Sequence, residues 1–165
     1  MKIDETVLYF RKKFSAYQIR DIYDVDAKGE DFCEIIISNE KNPTMPMTVC
    51  VNDNGCTLSV GRMENITGEH PASPEKISAA IEDVINDKII FIFGYRDEEA
   101  KDHGSPFFSR FFAITGREDD MSREYEELIS KLNRPLSGFA RKFTSLKGVF
   151  LVCNFNGTTQ FVINR

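Results

Sequence analysis

The densest group of chemically active side chains in the sequence is the charged run Arg96-Asp97-Glu98-Glu99-Ala100-Lys101-Asp102-His103. Carboxylates close to an imidazole could hold a divalent cation or move a proton. The run lacks the alternating oxygen ligands and fixed Gly and Glu of an EF-hand, and His103 has no nearby His or Cys to complete a zinc site. The pattern therefore favours a solvated loop, with no metal or cofactor. Asp97, Glu98 and His103 remain candidate residues for binding a ligand or a partner.

The only other histidine is His70, in Glu69-His70-Pro71, and it also falls in a predicted loop, where functional residues concentrate. A general base needs an orienting partner, which this pattern does not supply, so a surface histidine is the favoured interpretation. Arg110 lies inside the apolar run Phe107-Phe108-Ser109-Arg110-Phe111-Phe112. Such a cation either emerges at the sheet surface, which is favoured, or meets an anion. Both residues are kept as binding candidates.

The four cysteines are predicted to be free, reduced thiols. They are Cys33, Cys50, Cys56 and Cys153, and their spacing suits neither a zinc knuckle nor a redox CxxC pair. A nucleophilic thiol needs a lowered pKa, whereas these residues fall in predicted strands or at a strand end. Inert thiols are the default, with Cys50 on the more polar face of its hairpin and the best one to test.

No catalytic motif is found elsewhere in the sequence. Serine-hydrolase elbows, S-x-x-K and glycine-rich phosphate loops are all absent. The stretch from Lys147 to Asn154 begins like the Lys-Gly-aromatic strand of an RNA-recognition motif, but Val149 and Leu151 stand where that motif stacks bases on aromatic rings. We therefore predict no catalytic residues and favour a protein that is not an enzyme.

Charge and composition exclude two classes of partner. The 165-residue chain has a net charge of −5, which does not suit the phosphates of nucleic acid or an anionic membrane surface. No apolar run approaches the roughly 20 residues of a membrane span. The sequence Met1-Lys2-Ile3-Asp4-Glu5 does not have the pattern of a signal peptide, so we expect a cytoplasmic protein.

Local patterns predict the elements of the first half of the chain. A helix is expected over residues 4–14 with Asp4 as its cap, and strands over residues 17–25 and 32–38. Residues 47–60 form a predicted hairpin around Asn52-Asp53-Asn54-Gly55. Its buried face should carry Met47, Val49, Val51, Cys56, Leu58 and Val60, and its polar face Thr48, Cys50, Thr57 and Ser59. A helix then starts at Ser73 as N-cap, followed by Pro74.

The second half is predicted to contain two apolar strands, two helices and a hairpin. Residues 88–95 are apolar without alternation, which is typical of a central strand, and they should pair with residues 107–114 across an exposed loop. Helices are expected over residues 122–133 and 136–147. The last hairpin joins residues 149–155 to residues 158–163 around Asn156-Gly157.

This order of elements predicts one α+β domain spanning residues 1–165. Hairpins dominate, and no βαβαβ alternation is present. The expected architecture is an antiparallel sheet of about six to eight strands with three or four helices packed mainly on one face.

Three classes of function remain open. The layout and low pI resemble those of secretion chaperones and toxin-immunity proteins, which implies a non-enzymatic accessory protein that binds a protein partner, and an acidic chain favours a basic one. The alternative is an enzyme or small-ligand-binding protein with a pocket between sheet and helices, for which Arg110 is the best clue. The third is a homo-oligomer that pairs through a sheet edge such as residues 155–164.

Overall fold

The computed structural model describes residues 2–63, 65–67, 71–113, 148–157 and 160–164, and of residues 108, 110–113 and 160–164 it describes the backbone only. The chain divides into two compact units. The first unit contains Met1–Asp87 and Phe155–Gly157, and the second contains Lys88–Asn154 and Thr158–Arg165. The single domain over residues 1–165 stays a prediction, as do the helices over residues 122–133 and 136–147, which lie outside the described residues.

The first unit contains an antiparallel sheet of four strands joined in chain order. The strands are β1 (Ile19–Val25), β2 (Asp31–Ile37), β3 (Met47–Asn52) and β4 (Gly55–Val60). Each pairs with its neighbour along the chain, so the sheet is built from hairpins, as predicted.

The hairpin of β3 and β4 has the two faces that the sequence predicts. Val51 lies opposite Cys56 and Cys50 lies opposite Thr57, so the two cysteines occupy opposite faces. All six residues of the predicted apolar face are buried, and Thr48, Cys50, Thr57 and Ser59 are half-buried. The side chain of Asn52 accepts hydrogen bonds from the N–H groups of Asn54 and Gly55, at 2.9 and 3.1 Å, which fixes the turn.

Gly55 is required at the start of β4 by its surroundings. Its φ is +149°, and a Cβ atom there would lie 2.6 Å from the Cβ of Pro71 and 2.9 Å from the carbonyl oxygen of Ala72. The approach is close because Ala72 pairs with Cys56 through two backbone hydrogen bonds of 2.9 Å. The chain after β4 therefore returns along that strand and covers part of its edge.

Two helices, α1 (Ile3–Lys13) and α2 (Pro74–Ile85), cover the face of this sheet that we call the inner face. It carries the alternate residues that are fully buried: Cys33, Ile35, Ile37, Met47, Val49, Val51, Cys56, Leu58 and Val60. Phe10 from α1 and Ile77 and Ile81 from α2 are also completely buried, as expected of apolar stripes that face a core. The first unit therefore has one closed hydrophobic core between the helices and the sheet.

The two helices begin differently. Ser73 caps α2 as predicted, because its Oγ accepts a hydrogen bond of 3.3 Å from the N–H of Lys76. The predicted Asp4 cap of α1 is wrong, since the helix begins one residue earlier, at Ile3. Lys2 occupies the N-cap position without a side-chain hydrogen bond, and Asp4 instead accepts a hydrogen bond of 3.1 Å from the hydroxyl of Tyr23.

Residues Phe155–Gly157 belong to the first unit, far along the chain from the rest of it. Phe155 is buried, and its carbonyl oxygen accepts a hydrogen bond of 2.6 Å from the Nδ2 of Asn39. The Nδ2 of Asn156 donates to the carbonyl oxygen of Ile85 at 2.8 Å, and its N–H donates to Asp87 at 3.2 Å. This short segment therefore completes a core whose other members precede residue 88.

The second unit contains a four-stranded antiparallel sheet in the order β6-β5-β7-β8. Its elements are β5 (Ile89–Tyr95), the short helix α3 (Glu98–Asp102), β6 (Phe108–Ala113), β7 (Val149–Asn154) and β8 (Gln160–Asn164). All seven residues of β5 are buried, and β6 and β7 flank it, which confirms a central strand and its pairing with the strand after the charged loop.

The structure corrects the predicted sheet. The α+β class and the antiparallel pairing are confirmed, but the strands form two sheets, each with four strands in place of the six to eight expected in one. The last hairpin has the predicted pairing, with Cys153 opposite Gln160, but β7 already ends at Asn154 because Phe155 leaves the sheet for the core of the first unit.

In the described part of the chain, every helix is too short or too polar to span a membrane.

Candidate partner-binding face

The charged run after β5 folds as α3, and its side chains serve local structure. Asp97 is the N-cap, with its carboxylate accepting a hydrogen bond of 2.8 Å from the N–H of Ala100. Glu98 pairs with Lys101 one turn along the helix. His103, whose side chain is 74% exposed, lies 3.9 Å from Glu99. These contacts explain why an acidic run stands here: carboxylates near a helix N-terminus stabilise its first turn.

The structure does not bring the candidate residues into one described site. Arg110 lies in β6, where its backbone is opposite Ile92 of β5, and His70 is outside the described residues. No group of three His, Cys, Asp or Glu side chains suited to a metal ion occurs among the residues that the structure describes. The roles proposed for Arg110, His70, His103, Asp97 and Glu98 stay predictions.

All four cysteines are free thiols, and their surroundings disfavour the thiolate. Burial raises the pKa of Cys56 and that of Cys153 to about 12. Cys50 is only half-buried, and burial together with the carboxylate of Glu34 raises its pKa as well. A nucleophile needs the opposite shift, so none of these three thiols is prepared for covalent chemistry at neutral pH.

The opposite surface of the first sheet, which we call the outer face, differs from the inner face in having no buried residue on β2 or β3. On β2, β3 and β4 it presents a mixture of apolar, polar and charged side chains, all half-buried: Phe32, Glu34, Ile36, Thr48, Cys50, Asn52, Thr57 and Ser59. On β1 it adds Arg20, Ile22 and Asp24. The outer face is therefore a broad, mixed surface on a sheet built from hairpins.

One end of the outer face forms a shallow depression with an acidic rim. Phe32, Cys50, Thr57 and Pro71 line its floor. Asp26 and Glu30 from the turn between β1 and β2, together with Asp31, line its rim. An apolar floor beside carboxylates suits the aliphatic stem and cationic head of a Lys or Arg side chain.

Asp26 is both a structural residue of this turn and a fixed negative charge. Its Oδ1 accepts hydrogen bonds from the N–H groups of Lys28 and Glu30, at 2.8 and 2.9 Å. These bonds lower the pKa of Asp26, since they favour the carboxylate. As pH falls, the rim therefore keeps this charge to a lower pH than an Asp without these bonds would.

Further acidic residues of the first unit lie at the same end of the sheet. A second groove, on the side of α1, is lined by Lys2, Ile3, Asp4, Glu5, Tyr23, Asp24, Val25, Asp31, Phe32 and Asp53. By contrast, the basic residues Arg11, Lys12 and Lys13 occupy the last turn of α1. A group of acidic residues thus lies where β1 ends and β2 begins, beside the depression.

No known protein family, curated protein or solved structure matches this chain.

Sequence reasoning found half of this face and missed its rim. The alternation around Asn52–Gly55 identified Thr48, Cys50, Thr57 and Ser59 as one polar face, as observed. The rim was missed because the turn with Asp26 and Gly29 was not singled out. Its signal is an Asp followed three residues later by a Gly, here with φ of +84°, between two strands.

Proposed function

We propose that this chain is a non-enzymatic, intracellular protein-binding or accessory protein, of chaperone-like or immunity-like character, that uses the outer face of its first sheet. The observation that carries the proposal is the contrast between the two faces of one sheet. On β2, β3 and β4 the inner face carries nine fully buried residues beneath α1 and α2, whereas the outer face of the same strands keeps half-buried apolar residues such as Phe32 and Ile36 among polar ones. Interfaces with non-obligate partners are themselves about as apolar as the rest of a protein surface, so the composition of this face is compatible with such a partner.

The partner that fits this face carries a basic segment. Asp26, Glu30 and Asp31 rim the depression, and Asp24 and Asp53 lie at the same end of the sheet. Complementary charge increases the rate of association and selects against acidic competitors. A Lys or Arg side chain would place its stem on Phe32 and Pro71 and its charge among the carboxylates.

The state of the thiols supports a binding role over a catalytic one. Cys50 is the only thiol among the residues lining the depression, and its pKa is raised. A raised pKa leaves the thiol protonated at neutral pH and lowers its nucleophilicity. In the depression Cys50 therefore serves as a small apolar contact.

The proposal is tested by native mass spectrometry of tagged chain recovered from a lysate of its own cells. We expect a second polypeptide at fixed stoichiometry, retained at physiological salt. The variant Glu30→Lys/Asp31→Lys should lose it, because the substitution reverses the charge of the rim. The matched control Glu40→Lys/Glu75→Lys makes the same change of charge at two exposed positions that do not line the depression and should retain the partner.

Two outcomes would count against the proposal. Recovery of bare chain at physiological salt would contradict stable partner binding, and equal retention by the rim variant and the control would place the partner elsewhere. A small added mass would instead favour the alternative, a small-ligand-binding protein or enzyme with a pocket between sheet and helices. Arg110→Ala would then be compared with the native chain for a ligand-induced thermal shift.

A further inference from the structure

Among the residues that the structure describes, strand β1 has an unpaired edge. Among the described residues it pairs with β2 alone, at the end of the first sheet. The N–H of Ser38 donates to the carbonyl oxygen of Gln18 at 3.0 Å, in the register that sets Ile19 opposite Ile37. Because backbone groups of an antiparallel strand alternate in direction, the even-numbered residues of β1 face β2. The odd-numbered residues, from Ile19 to Val25, direct their N–H and C=O groups to the free edge.

Exposed apolar side chains lie along this edge. Four large hydrophobic residues are exposed among those described, and three of them are Leu8 (51%), Tyr23 (57%) and Val25 (52%). Tyr23 and Val25 are alternate residues of β1, so they lie on the same face of the strand. The hydroxyl of Tyr23 bonds to Asp4, one helical turn before Leu8, so that Leu8 lies on the side of α1 nearest the strand. An unpaired edge next to apolar surface is a template for a further strand.

The sequence of β1, Ile-Arg-Asp-Ile-Tyr-Asp-Val, is chemically symmetric about Ile22. If a second copy is placed antiparallel with Ile22 opposite Ile22, apolar Ile19 faces Val25 and Arg20 faces Asp24, each pair occurring twice. Asp21 then faces Tyr23. The register keeps odd-numbered residues opposite odd-numbered ones, so the outward backbone groups of the two copies meet and form the ladder.

Neighbouring registers lack this match. If one strand is displaced by two residues in one direction, Asp21 lies opposite Asp21 of the second copy, and two like charges then face each other across the strands. A shift in the other direction sets Ile22 opposite Asp24. Arg20 is exposed and forms no ion pair with any described residue, so it is available to the partner copy.

We propose that two copies of this chain pair through β1 with Ile22 on the two-fold axis, giving one continuous antiparallel sheet with four strands from each copy. This inference does not depend on the proposed function. It brings the outer faces of both copies onto the same side of one sheet. The N–H of Val25, which bonds to the carboxylate of Asp24 at 2.8 Å in the single chain, would pair with Ile19 of the partner copy and free Asp24 for Arg20.

The test reverses the charges of Arg20 and Asp24 in the whole chain and measures dimerisation by sedimentation velocity over a range of concentrations. We expect the native chain to form a dimer. Arg20→Asp and Asp24→Arg should each weaken dimerisation about tenfold or more, since each places like charges opposite each other twice. An equimolar mixture of the two variants should recover the native affinity, because every facing pair is again of opposite charge. The double variant R20D/D24R should recover it as well.

Several outcomes would overturn the proposal. These are a native chain that stays monomeric at all soluble concentrations, a dimer unaffected by either reversal, and reversals whose mixture is not rescued. Lys28→Asp and Glu30→Arg are the matched controls, since they reverse charges in the adjacent turn outside the strand and should leave the dimer intact. Circular dichroism shows whether each variant folds. If either single variant fails to fold, the double variant decides, because it keeps the composition of the strand and must dimerise like the native chain.

Discussion

The two sheets of this protein differ in how burial follows the sequence. From Phe32 along β2 and throughout β3 buried and half-buried residues alternate, so these strands have a closed inner face and an open outer face. Along β5, in the second sheet, all seven residues are buried and no alternation is present. Alternation marks a strand with a free face, and its absence marks a strand enclosed on both faces.

This contrast separates two roles for apolar side chains. In β5, Phe91 and Ile92 have no exposed surface and therefore contribute to stability. Phe32 and Ile36, on the outer face of the first sheet, are only half-buried and remain available to a partner. The same residue types thus stabilise one sheet and provide a binding surface on the other, and variants can test the difference.

The largest difference is expected between two phenylalanines. Phe91→Ala should lower the free energy of unfolding by about 3–5 kcal/mol, because it leaves a cavity at a fully buried position. Phe32→Ala should cost about 1–2 kcal/mol, since only part of its side chain is removed from water. Urea denaturation followed by circular dichroism measures both. Equal losses in the free energy of unfolding would mean that Phe32 on the outer face contributes to stability as much as a buried residue of β5 does.

A smaller effect is expected from Asn39, which ties Phe155 to the first unit. Asn39→Ala should cost about 1–3 kcal/mol, because it leaves the buried carbonyl oxygen of Phe155 without the 2.6 Å hydrogen bond. Asn86→Ala is the control, since it removes a hydrogen bond of 2.8 Å between an exposed side chain and Glu82. If thermal unfolding showed the same loss for both variants, burial would not be the source of the effect.

Alkaline pH should weaken both units through their thiols. The pKa of Cys56, in the first unit, and that of Cys153, in the second, are raised to about 12 in the folded chain, above the ordinary value of 9.0. The unfolded chain ionises these thiols first, so their contribution to stability is complete below about pH 9 and falls as pH rises toward about 12. Urea titrations should show a smaller alkaline loss for Cys56→Ala/Cys153→Ala than for the native chain.

The smallest expected effect concerns the rate at which a thiol reagent modifies the cysteines. Cys50, half-buried on the outer face, should react with a thiol reagent before the buried Cys33, Cys56 and Cys153. The reaction should be slow at neutral pH and accelerate as pH rises, because the pKa of Cys50 is itself raised. Mass spectrometry of peptides after timed labelling identifies the site. Early modification of Cys56 would contradict the assignment of faces in β4.

The sequence is sufficient where structure depends on neighbours along the chain. The faces of β3 and β4 follow from a short turn and from alternation, and the Ser73 cap follows from a hydroxyl three residues before Lys76. The β1–β2 hairpin was foreseen as two strands, but its rim of carboxylates was not, because Asp26 and Asp31 are brought to the same depression as Pro71 only by the tertiary fold.

Contacts between distant residues account for the other errors. Asp4 has the residue type of an N-cap, but the fold offers it the hydroxyl of Tyr23, and the helix begins earlier. The Asn156-Gly157 turn correctly gave the pairing of β7 with β8, whereas the early end of β7 depends on Asn39, 116 residues away. The symmetry of β1 is visible in the sequence, but its meaning depends on knowing that the strand lies at an edge.

The position of Phe155–Gly157 also has a consequence for the order in which the chain folds during synthesis. The first unit contains residues up to Asp87, yet its core includes Phe155, which the ribosome adds only after the whole of β5, β6 and β7. Until then the nascent first unit lacks Phe155, and neither Asn39 nor the carbonyl oxygen of Ile85 has its partner from this segment. Its final closure must therefore wait until residue 155 has been synthesised, and a chain truncated after residue 87 should remain a loosely packed, protease-sensitive intermediate.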